Sequence, residues 1–447
     1  MRHAGFRTDW GLPRGNSLMI EGDLFQAKAG EPVHQLFTNQ GFISRAFTSL
    51  VNTSGGSVLG RWNHDFPGGS QTTLQLYDND YTLSNQGVRE RLNSADLEFL
   101  HHFTFGSRHD IVWGLEYRHN HYSIGSGYSV AMLPPVRNFT LVSGFFQDQI
   151  RLTHSIWFTL GSKVEHNAFT GVETDPSASL TWVINNRQTL WASAAKAVRT
   201  PSLVEESFRI GLASFPLMGG GLGVYTLFGN RHFQSEQLRD YEVVYRVQAA
   251  RNISLDFATF YSFYHNLATL EPGTPFFEAS PAPPHVEFPS VWGNGMHGQD
   301  YGAEAALDWE PFHRWKIRGA YSWLKMNLHL DPNSQDRNST AAERVSPAHQ
   351  FNIHSYFDIT RKWSFDNSFY YVASLSGFQF SSYAPTVDVP SYVRLDSRLA
   401  WQIDKSVEAS VVGQNLLSPW HFEFGNIDQF ISTQPERSVF GEMRWSF

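Results

Sequence analysis

Apolar residues recur at every second position in segment after segment of this chain, and the gaps between segments alternate between short and long. Successive strand residues point to opposite faces, so a period of two reads as strands with one apolar and one polar side. About nineteen such segments can be read between Gly5 and Phe447, with no convincing long amphipathic helix. In Ile253 to Phe263, the residues Ile253, Leu255, Phe257, Thr259, Tyr261 and Phe263 share one face, and Ser254, Asp256, Ala258, Phe260 and Ser262 share the other. In Tyr392 to Trp401, the residues Val393, Leu395, Leu399 and Trp401 oppose Arg394, Asp396 and Arg398. The last segment, Ser438 to Phe447, sets Val439, Gly441, Met443, Trp445 and Phe447 against Phe440, Glu442, Arg444 and Ser446.

A buried soluble sheet would pay desolvation for rows such as Arg394, Asp396 and Arg398, whereas a water-filled lumen accepts them. The connections point the same way. Gly11 to Asn16, Gly106 to Arg108, Asn185 to Arg187 and Asp404 to Lys405 are short. Gln26 to Gly56, His121 to Arg137, Arg199 to Arg239, Asn266 to Asp300, Ala373 to Ser391 and Leu416 to Arg437 are long, and Tyr81 to Ser94 is longer than the turns around it. Short turns on one side and long loops on the other fit an outer-membrane barrel; a soluble Greek-key sandwich need not alternate in this way. The expected fold is therefore all-β, a transmembrane antiparallel β-barrel.

Composition agrees. Of 447 residues, 15% are aromatic and only 17% charged, yet the mean hydropathy is −0.33. A membrane helix needs roughly 20 consecutive apolar residues, and the sequence contains no such run. A barrel needs only alternate apolar positions and aromatic girdles. The absence of cysteine excludes disulfides and thiolate metal sites, and a net charge of −8 leaves no basic footprint for nucleic acid. Met1 to Phe6 has no apolar signal core, so an exported form is expected to start upstream.

Four stretches resemble the TonB-dependent outer-membrane receptors. Trp191 to Ser202 looks like that family's strand ending in an Arg-x-Pro turn, here Arg199-Thr200-Pro201. Gly229 to Glu242 is similar to its Gly-Asn-Pro-x-Leu-x-Pro-Glu…Tyr-Glu stretch, with Arg231 and Ser235 in place of the usual prolines. Val412 to Leu417 resembles the Gly-x-Asn-Leu-Leu of its penultimate strand, and Arg437 to Phe447 its C-terminal strand. The resemblance implies a 22-stranded barrel with a plugged lumen that imports a scarce ligand, most simply a ferric siderophore, with energy delivered through TonB. It also implies lipid contact in the outer membrane of a Gram-negative cell, no enzymatic activity and no bound cofactor. Trp445 and Phe447 would be read by the barrel-assembly machinery. No plug, TonB-contacting box or signal peptide is recognisable in residues 1–447. Bacterial single-chain barrels have even strand numbers, so about 19 of 22 strands are expected here, in a chain incomplete at its N-terminus, with TonB reached only through the missing region. A passive porin-like channel and a non-functional truncated relic are the rival readings.

Ligand capture is expected in the long loops. Arg209, Tyr225 and Phe228 lie in Arg199 to Arg239, and Phe276, Phe277 and Trp292 in Asn266 to Asp300. Aromatics and arginine suit a bulky anionic chelate. The Pro-rich run Glu271 to Pro289 reads as irregular loop. His119 and His121 share a strand face but have no third ligand nearby in sequence, and His232 and His285 are the loop histidines. No metal site is expected. No nucleophile elbow, Walker loop or His-Glu-x-x-His helix is present.

Overall fold

The computed structural model describes residues 1–35, 45–85, 88–125, 127, 130–280, 283–378, 387–423 and 434–446. Nineteen strands follow one another around a single sheet, each antiparallel to the next. They are Arg2–Leu12, Asn16–Gln35, Arg45–Asp65, Gln71–Asn85, Val88–Phe105, His109–Ile124, Val136–Arg151, Ile156–Asn167, Gly171–Asn185 and Gln188–Arg199, then Glu236–Ala250, Ile253–Pro272, His285–Phe312, Trp315–Leu330, His349–Asp358, Trp363–Val372, Tyr392–Gln402, Val407–Gln414 and Ser438–Trp445. Among the described residues, Arg2–Leu12 pairs only with Asn16–Gln35, and Ser438–Trp445 only with Val407–Gln414.

At one rim the connections are 13–15, 66–70, 106–108, 152–155, 186–187, 251–252, 313–314, 359–362 and 403–406. All are tight turns, as the spacing requires. The other rim is less uniform than expected. The strands Gln71–Asn85 and Val88–Phe105 nearly meet, so the longer connection expected over Tyr81 to Ser94 shrinks to 86–87. Likewise Gln26 to Gly56 is mostly strand, because Asn16–Gln35 and Arg45–Asp65 stay paired through Gln35 and Arg45.

The two faces separate as the alternation demands. Outward residues include Phe257, Tyr261, Phe263, Trp363 and Trp401, all exposed. Near one rim Tyr261 stacks on Tyr301 at 5.6 Å and Tyr301 meets Trp323 at 5.9 Å. Near the other, Trp363 stacks on Trp401 at 5.7 Å. These are the two aromatic girdles of a membrane barrel. The opposite face carries paired charges. Arg246 donates to Asp256 at 2.7 and 2.9 Å, Arg394 to Asp396 at 2.7 Å, and Arg398 sits 3.4 Å from Asp366. Tyr264 donates to Asp300 at 3.0 Å on this same inner face.

Two of the expected loops are not irregular. Arg199 to Arg239 contains a helix, Leu203–Ser207, and two strands, Phe208–Pro216 and Leu222–Phe228. Asn266 to Asp300 contains the end of Ile253–Pro272, the short strand Phe276–Glu278 and the start of His285–Phe312. Leu222–Phe228 runs parallel to Val286–Val291, and Phe208–Ile210 pairs with Val130–Met132. The outer rim thus carries short additional strands from three loops, hydrogen-bonded into the same sheet as the wall. Beneath them Tyr122, Ile124, Met132 and Phe208 form a buried apolar cluster. That burial explains why the loops order: fixing each backbone residue costs about 1–2 kcal/mol, which only shared pairing and apolar burial offset.

Candidate functional site

At the outer rim, long-range polar contacts, buried charge and a cavity coincide. The rim is built around Arg199, the last residue of Gln188–Arg199. Arg199 forks to Glu205 with bonds of 3.1 and 2.7 Å, and its Nε donates to Glu236 at 2.6 Å. Glu236 accepts also from the backbone N–H of Ala268 at 2.8 Å. Glu205 closes a capping box with Ser202 at the start of Leu203–Ser207, which satisfies helix-end donors that would otherwise be orphaned. Burial alone would push the Glu205 carboxyl up, but the Arg199 guanidinium and the Ser202 donors hold it below its ordinary range.

The neighbouring Gly229 and Asn230 complete this clamp. A Cβ on Gly229 would lie 2.5 Å from the Ser207 nitrogen and 2.6 Å from the Glu206 carbonyl carbon, so only glycine fits. Asn230 donates from its side chain to the Trp292 carbonyl at 2.8 Å and from its backbone to the Glu205 carbonyl at 2.7 Å. Ser235 donates to Glu173 at 2.6 Å, tying in the next hairpin.

Arg209, Phe228 and Phe276 come together, as candidates from two different loops. The Arg209 guanidinium lies over the Phe228 ring at 5.4 Å, and Phe228 meets Phe276 at 6.3 Å. Arg209 is not an open anion receptor, however. It donates to Glu278 at 2.6 and 3.3 Å and also bonds Glu287. Burial works against its charge, but those two carboxylates more than compensate and raise its pKa. Glu287 is 1% exposed and His285 3%. His285 Nε2 lies 3.3 Å from Glu287 Oε1 and 3.5 Å from Glu278 Oε2. Tyr225 is half-buried within Leu222–Phe228, opposite Ala213 and Phe288. Phe277 is 68% exposed on the outer surface.

Trp292 stands apart from this group. It meets Phe233 edge-on at 6.2 Å, and its buried Nε1 has no hydrogen-bond partner among the described residues. It lines an apolar cavity of about 420 Å³ with Leu267, Leu270, Met296, Met326 and Leu328, roofed by the turn Ser339–Arg344. Wet barrel interiors are polar, so an apolar recess on the inner face at the rim is a distinct local environment.

The sequence did not mark Glu278, His285 and Glu287 as a group. The only signal was His285-x-Glu287, two residues apart and so on one face of a strand, in a run read as irregular. At the chain's end, Trp445 is 73% exposed on the outward face of Ser438–Trp445. Phe447 lies outside the described residues.

The family model described as TonB dependent receptor-like, beta-barrel matches residues 16–416. Among solved structures, the siderophore receptor PirA from Acinetobacter baumannii superposes with a TM-score of 0.72 at 15% identity, over 100% of this chain and 71% of its own. A variant of the ferric enterobactin receptor PfeA from Pseudomonas aeruginosa gives 0.72 at 14% identity, over 100% and 70%. The FrpB iron transporter from Neisseria meningitidis gives 0.72 at 10% identity, over 100% and 72%. At these identities the likeness shows the fold. No curated protein sequence matches the chain.

Proposed function

The chain belongs to the TonB-dependent receptor-like β-barrel family of the outer membrane, and from that premise we propose that it takes up a ferric siderophore or a similar bulky iron chelate. The observation that carries this reading is the ordered outer rim, where Arg209, Phe228 and Phe276 from two loops share one cluster. A chelate meets preformed aromatic surface there, so little of its binding energy is spent on ordering loops. The neighbours described as a siderophore receptor, a ferric enterobactin receptor and an iron transporter support the same ligand class. In this reading residues 1–447 are barrel throughout, Tyr225 and Trp292 line the approach, and coupling to TonB comes from a segment that is not one of the nineteen strands. Outer-membrane lipid contacts the girdles, and the assembly machinery reads the final strand through Trp445 and Phe447.

The test is a panel of ferric catecholate and hydroxamate chelates titrated into the purified, membrane-reconstituted protein, followed by tryptophan fluorescence. Saturable binding of at least one chelate is expected. No chelate binding together with a steady open conductance in planar bilayers would support the porin-like channel instead.

A further inference from the structure

A second cluster of ligating side chains lies among the outer-rim strands, made of the buried His285 and Glu287 and the half-buried Glu278, and it stands independently of the receptor reading. Phe276–Glu278 pairs with the start of His285–Phe312 so that Glu278 faces His285, and Glu287 follows two residues on along the same face. His285 Nδ1 is 3.0 Å from the Pro283 carbonyl oxygen. A carbonyl only accepts, so Nδ1 carries the hydrogen. Nε2 therefore turns its other valence toward the carboxylates of Glu278 and Glu287.

Two chemical states satisfy that arrangement: an imidazolium donating to the carboxylates, or a neutral imidazole sharing a cation with them. Distances separate the two. A charge-assisted N–H···O bond runs about 2.7–2.9 Å. The observed separations are 3.3 Å to Glu287 Oε1 and 3.5 Å to Glu278 Oε2. A tetrahedral ion with bonds of about 2.0–2.1 Å sets its ligand atoms about 3.4 Å apart. The ligand atoms of all three residues lie within 4.8 Å of one another. The Nδ1–H to carbonyl bond is also the outer-shell contact that orients a metal-binding histidine. Independently, Glu287 Oε2 is buried with no hydrogen-bond partner among the described residues. Its residue is 1% exposed, and an orphaned buried carboxylate oxygen is costly.

We propose that Glu278, His285 and Glu287 bind a divalent first-row transition ion of the Zn²⁺ type. One nitrogen and two carboxylate ligands suit such an ion and disfavour Ca²⁺, which takes six to eight oxygens. Arg209 is the competing cation. Its Nη2 bridges the same two carboxylates, and its side chain is 29% exposed beside the Phe228 ring. Ion entry turns the guanidinium away from the carboxylates against that ring, and either occupant neutralises the pair. The site thus couples metal availability to the contact that ties the two loops together.

The experiment is calorimetric titration of Zn²⁺ into the tag-free, detergent-solubilised protein, with Ca²⁺ as control and Co²⁺ absorption reporting geometry. The wild type binds one Zn²⁺ that His285→Gln and Glu287→Gln abolish, with Co²⁺ giving an intense tetrahedral spectrum. Arg209→Ala binds at least about tenfold tighter, because the rival cation is gone. Heat-modifiable electrophoretic migration checks that each variant is folded, and Glu278→Gln, at a more exposed position, serves if Glu287→Gln is not. The proposal is overturned if the wild type binds no Zn²⁺, if folded His285→Gln binds it unchanged, or if Arg209→Ala fails to tighten it. An imidazolium in place of a metal site gives the first of these results.

Discussion

Arg199 and Glu236 face each other in register across neighbouring strands and join through a 2.6 Å ion pair. The 36 residues between their positions form the loop that reaches over the rim, so this contact closes the base of that loop. Both residues sit in stretches that resemble family motifs, and the pair explains why those stretches occur together. Arg199→Ala leaves Glu205, which is 6% exposed, without its guanidinium. An unsatisfied buried acceptor costs about 1–3 kcal/mol. Limited trypsin digestion should cut within Arg199 to Arg239 several times faster in the variant, while the barrel stays heat-modifiable. Unchanged cleavage would remove the clamp from the account.

The same clamp should be acid-sensitive. The Glu205 carboxyl is held below its ordinary value of 4.5 in the folded protein. Its stabilisation is therefore complete above that value and is lost as pH falls through the lower folded-state pKa. Hydrogen-exchange protection of 203–207, corrected for the intrinsic pH dependence of exchange, should fall below pH 4.5 in the native protein. In Glu205→Gln, protection should already be lowered at neutral pH and should no longer change over that acid range. Parallel acid profiles for the two proteins would contradict this.

The two faces of Ile253–Pro272 should respond differently to charge. Phe257 is 46% exposed on the lipid side, and Phe257→Arg should cost about 2–4 kcal/mol near the bilayer midplane. Asp256 points inward to Arg246, with side chains 35% and 58% exposed, so Asp256→Asn should cost at most about 1 kcal/mol. Denaturant unfolding from lipid vesicles measures both, and equal losses would undo the face assignment.

Asn415, in the stretch Gly413-Gln414-Asn415-Leu416-Leu417, adopts φ 52° and is 1% exposed. Its backbone N–H donates to Asp396 at 2.9 Å and its side chain to the Pro435 carbonyl at 3.0 Å. Asparagine tolerates the left-handed region, whereas alanine there costs roughly 1–2 kcal/mol. Asn415→Gly should lose only the side-chain bond, so Asn415→Ala should be the less stable of the two. Refolding yields in the reverse order would argue against backbone strain as the reason for this residue.

The wall was legible because its chemistry is local. Alternation at Ile253 to Phe263 and the short turns at 106–108 and 186–187 follow from neighbours in sequence. The rim was not legible. Leu222–Phe228 buries residues of both faces and pairs with Val286–Val291, far along the chain, so it shows no period of two. Pro289 lies within a strand opposite Thr226, where a Pro-rich run reads as loop. Arg209 stands out in the sequence for its charge, but its partners Glu278 and Glu287 are 69 and 78 residues away. No spacing signals such a contact.

The most direct measurement is radiolabelled iron uptake by iron-starved cells whose only copy of this barrel is expressed from its native locus. Uptake of a ferric chelate should be saturable, should stop on adding a protonophore, and should fall when Phe228 and Phe276 are both replaced by alanine. Uptake that rises linearly with chelate concentration and ignores the protonophore would contradict a TonB-coupled receptor.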